Sequence, residues 1–317
     1  MNANSFIAFL FPGQGSQAVG MGKDLYDKFP VARRTFEEAN GALGYSISQL
    51  CFEGPEGKLK LTEITQPAIL TVSIAAQRVL AEKGIVPQFV AGHSLGEYSA
   101  HVCAGTLKFA DAVRIVRNRG KYMQEAVPVG VGAMAAILAL PIEKLQPVCV
   151  QAAREIKQVV SPANINSPDQ IVISGNKAAV ERAAELAKEA GAKRAVMLPV
   201  SAPFHCALMK PAQERLAADL RQAEFVDPRI PVVCNVDATA VSTGAIALEK
   251  LIEQVTGTVQ WVRCIETLIA NGVNTFIEVG PGKVLSSLMR QIDRSKSCLN
   301  IENSESLEKL LAQFAAA

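Results

Sequence analysis

Short runs of apolar residues, set between helical patterns, limit the folds that are open to this chain. Residues 6–11 and 89–91 are apolar without interruption, and each run ends at a glycine or a Pro-Gly pair. Runs of this length predict strands buried on both faces, as in a parallel sheet. The spacing of apolar residues over 61–83 and 109–123 predicts helices. This alternation of strands and helices favours an α/β fold with a parallel sheet.

The middle of the chain follows a different order. Its pattern predicts strands and helices in the order β-α-β-β-α-β, which is typical of a ferredoxin-like unit. The strands are predicted over residues 133–138, 159–165, 171–174 and 194–198, with one helix opened by Pro141 at its first position and another over 177–190. We therefore predict a small subdomain of residues 128–198, inserted in a large domain of residues 1–127 and 199–317.

Composition and charge disfavour several classes of protein. Because 32 Lys and Arg balance 30 Asp and Glu, wholesale binding to nucleic acid is not indicated. The seven cysteines are scattered without a C-x-x-C pair, which disfavours a disulfide framework or a structural zinc site. The sequence starts without a basic segment and contains no apolar stretch long enough to span a bilayer. We therefore expect a cytoplasmic protein with no membrane association.

The segment Gly92-His93-Ser94-Leu95-Gly96 matches the pattern G-x-S-x-G between a predicted strand and a predicted helix. In that context the pattern is typical of a nucleophile elbow, a tight turn that exposes the serine hydroxyl. The N-terminus of the following helix adds positive potential at the same point. An ordinary glycine turn is the alternative, and the strand–turn–helix context favours Ser94 as a nucleophile.

A serine nucleophile needs a base, which is most often a histidine. Of the three histidines, His93 adjoins the serine and diverges from it at the turn, whereas His101 lies two helical turns away, about 10 Å along the axis. His205 remains, on a proline-containing loop after a predicted strand, and we predict it as the base. The sequence does not distinguish an acidic residue that orients this histidine, and a backbone carbonyl could do the same.

One arginine faces inward on the predicted helix over 109–123. Arg119 lies within the apolar stripe of that helix, whereas its other basic residues lie outside the stripe. A buried guanidinium requires an anionic partner, or it costs several kcal/mol. That partner is either a carboxylate of the protein or the carboxylate of a substrate held through a two-bond fork.

The loop Gly13-Gln14-Gly15 follows the first strand and is similar to a dinucleotide-binding turn. The pattern G-x-G-x-x-G requires a further glycine where this chain has Ala18, so NAD binding is not predicted. Beside the nucleophile strand, the same loop could instead offer a backbone N–H to an oxyanion.

Taken together, these segments resemble the malonyl-CoA:acyl-carrier-protein transacylases, the free-standing acyltransferases of bacterial-type fatty-acid synthesis. The resemblance covers nearly the whole chain and depends on the joint order and spacing of its motifs. The motifs are Phe11-Pro12-Gly13-Gln14-Gly15-Ser16-Gln17, Gly92-His93-Ser94-Leu95-Gly96-Glu97, Arg119-Gly120-Lys121, Pro203-Phe204-His205, Val259-Gln260-Trp261 and Glu278-Val279-Gly280-Pro281-Gly282.

The resemblance implies an α/β-hydrolase-like large domain with a ferredoxin-like small subdomain and an active site in the cleft between them. It implies that Ser94 is the acylated nucleophile and that His205 is the general base and acid. The activity implied is transfer of the malonyl group from malonyl-CoA to the phosphopantetheine thiol of acyl carrier protein. This transfer would follow a ping-pong course through malonyl-Ser94.

The same resemblance assigns roles to the residues around the nucleophile. The backbone amides of Gln14 and Leu95 would form the oxyanion hole, and Arg119 would bind the malonyl carboxylate. Gln260 is similar to the residue whose backbone carbonyl orients His205 in place of a triad acid. CoA and the pantetheine arm belong to the substrates, so we expect no bound cofactor and no metal. We also expect a monomer with a local basic surface for the acidic carrier protein.

Phe204 departs from the pattern of many fatty-acid members, which have a small residue before the histidine. In related polyketide-synthase acyltransferases, phenylalanine at this position accompanies malonyl rather than methylmalonyl. A bulky ring would crowd an α-methyl group at a cost of about 1–3 kcal/mol. Phe204 therefore favours malonyl and leaves a polyketide pathway as an alternative to fatty-acid synthesis.

Two further classes remain as alternatives. A serine hydrolase or thioesterase shares the nucleophile and the base but transfers the acyl group to water, and an inward arginine such as Arg119 favours transfer instead. A non-catalytic docking module for carrier proteins needs neither Ser94 nor His205, so the presence of both residues disfavours it.

Overall fold

The computed structural model describes residues 6–200 and 202–316 of the chain. The expectation about the start of the chain concerns residues 1–5, which lie outside this range. Within the described residues the chain forms ten strands. They are β1 Phe6–Phe11, β2 Phe89–Gly92, β3 Gly132–Leu138, β4 Val160–Ser167, β5 Gln170–Asn176, β6 Arg194–Met197, β7 Val232–Val233, β8 Ala240–Val241, β9 Val273–Val279 and β10 Ser297–Ile301.

The same residues form fourteen α-helices. They are α1 Lys23–Lys28, α2 Pro30–Leu43, α3 Ile47–Glu53, α4 Glu56–Leu59, α5 Thr62–Glu82, α6 Gly96–Cys103, α7 Phe109–Glu125, α8 Ile142–Ile156, α9 Lys177–Glu189, α10 Lys210–Gln222, α11 Gly244–Gln254, α12 Trp261–Ala270, α13 Val284–Ile292 and α14 Ser304–Ala316. In the part of the chain that is described, no helix is both long and apolar enough to cross a membrane.

The larger sheet is mostly parallel. Its strand order is β10-β9-β1-β2-β7-β8, and only the β7–β8 pair is antiparallel. Phe9 of β1 packs with the core on one face of the sheet, and Leu10 packs with the core on the other face. Both side chains are fully buried, which confirms that the first apolar run is a strand buried on both faces. Since parallel strands end at one edge, the loops after β1, β2, β7 and β9 meet there.

The smaller sheet is antiparallel, with the order β4-β5-β3-β6. Its elements follow the predicted order β-α-β-β-α-β along the chain, with helices α8 and α9 between the strands. The two helices share a core with one face of this sheet. The other face carries Met134 and Val172, which point towards the parallel sheet and pack with Phe204. The smaller sheet therefore forms one wall of the space between the two sheets.

Backbone hydrogen bonds join the two sheets through the segment before α12. The N–H of Val259 donates to the carbonyl of Ala163, and the N–H of Ile165 donates to the carbonyl of Val259. Ala163 and Ile165 belong to β4, so this edge of the smaller sheet is fixed to the segment between α11 and α12. The wall that β4 contributes is thus held against the larger unit by backbone bonds as well as side chains.

Two details of the fold differ from the expectations. Pro141, predicted as the first helical residue, is instead the N-cap residue of α8, which begins at Ile142. Between His205 and β9 the sequence pattern predicts two helices, whereas the chain forms three α-helices, α10 to α12. The strands β7 and β8 in the same region were not predicted, because each has only two residues and gives no recognisable alternation.

Candidate active site

Ser94 lies on the turn between β2 and α6, and two glycines make that turn possible. A Cβ on Gly92 would lie 1.9 Å from the backbone of Gly96, and a Cβ on Gly96 would lie 2.0 Å from the carbonyl oxygen of Phe11. Strand and helix can therefore approach this closely only with glycine at both positions. Ser94 itself has a φ of 51°, in the left-handed region that is strained for a residue with a side chain. This is the geometry of a nucleophile elbow.

Two buried amides hold the backbone of Ser94 in this conformation. The side-chain oxygen of Asn235 accepts from the N–H of Ser94 at 2.7 Å, and its amide nitrogen donates to the carbonyl of Gly92 at 2.7 Å. The side-chain nitrogen of Gln254 donates to the carbonyl of Ser94 at 2.9 Å. The backbone of the strained residue is thus hydrogen-bonded on both sides, which opposes its relaxation.

His205 lies beside Ser94 although 111 residues separate them in the chain. The Oγ of Ser94 is 2.7 Å from Nε2 of His205. On the other side of the ring, Nδ1 lies 2.9 Å from the carbonyl oxygen of Gln254 and 3.1 Å from that of Gly257. Carbonyl oxygens only accept hydrogen bonds, so Nδ1 carries the proton and Nε2 is free to accept the hydroxyl proton of Ser94.

The geometry corrects the prediction that the carbonyl of Gln260 orients His205. Gln260 is the N-cap residue of α12, and its carbonyl accepts from the N–H of Cys264 at 2.9 Å, within the first turn of that helix. Gln254 is the last residue of α11, where backbone carbonyls have no partner within the helix. A carbonyl at a helix end is available to the imidazole, whereas one at a helix start is not.

Burial strongly affects the protonation of His205, which is 3% exposed. Desolvation, followed by the positive charge of Arg119, lowers the pKa of His205 from its ordinary 6.5 to about 3. The two carbonyl hydrogen bonds act in the opposite direction but are outweighed. The imidazole is therefore neutral at ordinary pH, which is the state a general base requires.

Arg119 is 2% exposed and reaches the same point from α7. Its Nη1 donates to the side-chain oxygen of Gln66 at 2.9 Å. Its Nη2 donates to the side-chain oxygen of Gln254 at 2.9 Å and to Oγ of Ser94 at 3.1 Å. Among the residues that the structure describes, no carboxylate forms a salt bridge with it, and its Nε has no hydrogen-bond partner. Of the two partners considered for this arginine, the geometry favours an anionic ligand.

Ser94, His205 and Arg119 line one cavity of about 240 Å³ between the two sheets. Met134 and Val172 of the smaller sheet line its opposite wall, and Phe204 lines it beside the histidine. Asn164, Asn166 and Gln170 add polar groups to the smaller-sheet side. The cavity thus combines a nucleophile, a neutral base and a cation with apolar walls, as acyl transfer would require.

Gln14 and Leu95, the predicted oxyanion donors, also line this cavity. The loop that carries Gln14 lies against the elbow, since a Cβ on Gly13 would lie 2.5 Å from the carbonyl oxygen of His93. Leu95 is the N-cap residue of α6. Over the described ranges, neither backbone N–H donates a hydrogen bond within the protein. Both donors are therefore available to an oxyanion formed next to Ser94.

The other two histidines have different surroundings. Nε2 of His93 lies 2.8 Å from the side-chain oxygen of Asn166, and its ring packs against Trp261 with centroids 5.5 Å apart. His101 is fully buried in α6, and burial lowers its pKa to about 3. His205 is therefore the histidine that the fold brings to the hydroxyl of Ser94.

Glu97, His101 and Cys234 are the one group of potential metal ligands found among the described residues, with ligand atoms within 4.8 Å of one another. Burial raises the pKa of the Cys234 thiol, which disfavours the thiolate that metals bind. The positive charge of Arg119 also acts on Glu97. A further cation is therefore disfavoured here, and we assign no metal to this group.

Sequence reasoning missed Gln254 and Asn235. Gln254 is a polar residue in the buried stripe of α11, at helical spacing from Ala247 and Leu251, which is the same signal that singled out Arg119. Asn235 follows β7 at the carboxyl edge of the parallel sheet, where ligand sites collect. That signal was hidden because β7 is too short to be identified from its sequence.

Comparison with known proteins agrees with this geometry. The family described as "Acyl transferase domain" matches residues 8–310. A malonyl CoA-acyl carrier protein transacylase of Bacillus subtilis is 52% identical over 304 residues, covering 96% of each chain. The crystal structure of an acyl carrier protein S-malonyltransferase from Vibrio cholerae is 48% identical with a TM-score of 0.94, covering 96% of this chain and 100% of that one.

A malonyl-transacylase solved in complex with a type II polyketide synthase acyl-carrier protein is also similar. It is 47% identical with a TM-score of 0.94, and the match covers 98% of this chain and 100% of that one. The chain therefore belongs to the acyltransferase family, and within it to the malonyl-CoA:acyl-carrier-protein transacylases.

Proposed function

We propose that this chain transfers the malonyl group from malonyl-CoA to the phosphopantetheine thiol of an acyl carrier protein, and so supplies fatty-acid chain elongation. One observation carries the proposal. The guanidinium of Arg119, buried and without a carboxylate partner among the described residues, lies 3.1 Å from the Ser94 hydroxyl that is hydrogen-bonded to His205. A site of this kind suits an acyl group that carries its own negative charge at the far end.

In the first half-reaction, Oγ of Ser94 attacks the thioester carbon of malonyl-CoA while Nε2 of His205 takes the hydroxyl proton. The carbonyl electron pair moves to oxygen, where the backbone N–H groups of Gln14 and Leu95 stabilise the negative charge. When the tetrahedral intermediate collapses, the carbon–sulfur bond breaks. His205 then returns the proton to the leaving sulfur, and CoA departs as the free thiol.

In the second half-reaction, the thiol of the carrier protein attacks the carbonyl carbon of malonyl-Ser94. His205 takes the thiol proton and gives it to Oγ of Ser94 as the ester bond breaks. The salt link between Arg119 and the malonyl carboxylate holds the acyl group in one orientation through both steps. Since the pantetheine arms belong to the substrates, we propose that the reaction uses no bound cofactor and no metal.

We infer that the larger unit, residues 1–127 and 199–317, is an α/β-hydrolase-like domain and that residues 128–198 form a ferredoxin-like subdomain. The mostly parallel sheet with an elbow after β2 supports the first inference. The antiparallel order β4-β5-β3-β6 with two helices on one face supports the second.

We also propose that the protein works as a monomer in the cytoplasm and does not bind nucleic acid. One chain carries the nucleophile, the base, the cation and both oxyanion donors, so the site needs no residue from a second copy. A formal net charge of +2 supports the absence of nucleic acid as a partner.

A second candidate is delivery of malonyl to a polyketide carrier protein. The similarity to a transacylase solved with a type II polyketide synthase carrier favours it, as does the ring of Phe204 at the cavity, which would crowd an α-methyl group. Malonyl transfer assayed with purified fatty-acid and polyketide carrier proteins would separate the two pathways by the rate with each acceptor.

Arg119→Ala is expected to lower malonyl transfer about 10²–10³-fold while lowering acetyl transfer less than about tenfold. The reason is that the malonyl group has a free carboxylate for the guanidinium to bind, whereas the acetyl group has none. Acylation rates with malonyl-CoA and acetyl-CoA measure the two effects. Arg114→Ala is the matched control, because Arg114 lies on the exposed side of the same helix and pairs with Asp111. Equal losses with both donors would contradict carboxylate binding by Arg119.

The pH dependence of Ser94 acylation should reflect the unusual protonation of His205. Because the pKa of His205 is about 3, the base stays neutral as pH falls through 6.5. The rate should therefore stay nearly level from pH 8 to about 5, where an ordinary histidine would already have lost more than about tenfold. The rate of single-turnover acylation, followed by the intact mass of the protein across this pH range, tests the expectation. In Arg119→Ala, loss of the neighbouring cation should raise the pKa of His205, so the fall in rate at acid pH should begin at a higher pH. A wild-type rate that already falls near pH 6.5 would contradict the low pKa of His205.

A further inference from the structure

Glu97 is a fully buried carboxylate that the reaction described above does not use. It lies in the first turn of α6, three residues after the nucleophile. Its Oε2 accepts from the backbone N–H of Asn235 at 3.0 Å and from the side-chain nitrogen of Gln254 at 2.8 Å. Both donors belong to Asn235 and Gln254, the residues whose side-chain amides hold the backbone of Ser94, so Glu97 acts on the site through both.

Gln254 connects Glu97 to the backbone of Ser94, to Arg119 and to His205. Its Nε2 donates to Oε2 of Glu97 and to the carbonyl of Ser94, whereas its Oε1 accepts from Nη2 of Arg119 at 2.9 Å. Its backbone carbonyl accepts from Nδ1 of His205 at 2.9 Å. The orientation of this side chain therefore helps to set where the guanidinium lies relative to the nucleophile, together with Gln66, whose oxygen accepts from Nη1.

Glu97 favours one of the two orientations of the Gln254 side-chain amide. The two ends of an amide differ, because the nitrogen only donates and the oxygen only accepts. With the nitrogen towards Glu97, the oxygen faces Arg119, and both ends are satisfied. If the amide turned over, its NH₂ group would face the guanidinium, donor against donor, and its oxygen would face an acceptor. Without Glu97, the Nε2 group of Gln254 loses its shortest acceptor, and the contacts with the Ser94 carbonyl, with Oδ1 of Asn235 at 3.5 Å and with Arg119 are left to oppose that rotation.

We propose that Glu97 is a positioning residue that, through Gln254, fixes the guanidinium of Arg119 where the acyl carboxylate binds. Glu97 therefore contributes to the preference for acyl groups that carry a free carboxylate, without touching the substrate. This inference rests on the proposed function, since it assumes that Arg119 binds the carboxylate of the malonyl group.

The role requires an acceptor at Oε2 and does not require a negative charge. Burial raises the pKa of Glu97 to about 7, so a large share of molecules carries a proton at neutral pH. Oε1 has no hydrogen-bond partner among the described residues, so the proton can reside there while Oε2 still accepts. Glutamine has the same shape, with a carbonyl oxygen able to occupy the Oε2 position. Leucine has a similar volume and no acceptor.

The experiment compares Glu97→Gln and Glu97→Leu by the ratio of acylation rates with malonyl-CoA and acetyl-CoA. We expect Glu97→Leu to lower this ratio about tenfold, because a loosened Arg119 affects the donor with a carboxylate more than the donor without one. Glu97→Gln should keep the ratio within about twofold of wild type, which is rescue by the conservative variant. A purely structural role would lower both rates together and leave the ratio unchanged.

Glu97→Asp is the second variant, because Glu97→Leu places an apolar group beside buried amides and its folding must be checked by thermal melting. Aspartate keeps the carboxylate but withdraws it by one methylene from Gln254. A lowered ratio in Glu97→Asp supports the inference, and an unchanged ratio in a folded Leu or Asp variant overturns it. Wild-type protein with no preference for malonyl-CoA would instead overturn the proposed function.

Discussion

Replacing Ser94 with alanine is expected to lower malonyl transfer by a factor on the order of 10⁶ and to remove all acyl label from the protein. Alanine has no oxygen to accept the acyl group, so the two-step route through an ester is lost. The carrier thiol would then have to attack malonyl-CoA directly, at a turn whose geometry places the serine hydroxyl and not a thiol beside the thioester. The rate of malonyl-carrier formation measures the effect.

Ser99→Ala is the matched control for this substitution. Ser99 is a buried serine of α6, the helix that follows the elbow, and its hydroxyl has no hydrogen-bond partner among the residues described. Its removal should leave transfer close to the wild-type rate. Acyl label that persists on the Ser94→Ala protein after malonyl-CoA is added would show that another residue is the nucleophile.

Replacing His205 with asparagine is expected to lower acylation about 10²–10⁴-fold, the usual contribution of a positioned base. Asparagine is chosen because His205 has a φ of 57°, and asparagine tolerates this left-handed conformation better than alanine does. The variant therefore removes the imidazole without adding backbone strain. The acylation rate is measured by stopping the reaction at successive times and determining the intact mass of the protein.

The pH profile provides the control for His205→Asn. Without a base, Ser94 must lose its proton to hydroxide, so the rate of the variant should rise about tenfold for each pH unit. The wild-type rate should stay nearly level over the same range because its base is already neutral. A variant with the wild-type rate and the wild-type profile would exclude His205 as the base.

The elbow and the arginine could be predicted from sequence because local rules determine them. Gly92 and Gly96 permit the close approach of strand and helix, and that requirement is met within five residues of chain. Arg119 was identified because helical spacing alone placed it in the buried stripe of α7, where the structure has it. In both cases the signal depends on neighbouring residues and not on how distant segments meet.

The partner of His205 could not be predicted in the same way. A backbone carbonyl carries no signature in its side chain, so sequence could not distinguish Gln254 from Gln260. The choice follows from where α11 ends and α12 begins, since the end of a helix leaves carbonyls without partners and the start does not. The meeting of Asn235 with Ser94, 141 residues apart, is likewise fixed only by the pairing of β2 with β7.

The most direct test of the account is the intact mass of the wild-type protein after mixing with malonyl-CoA alone. We expect an increase of one malonyl group, located by peptide mapping on Ser94, which disappears when the phosphopantetheinylated carrier protein is added and then appears on the carrier. A sample that transfers malonyl to the carrier but never shows this adduct, or shows it on another residue, would contradict the central claim.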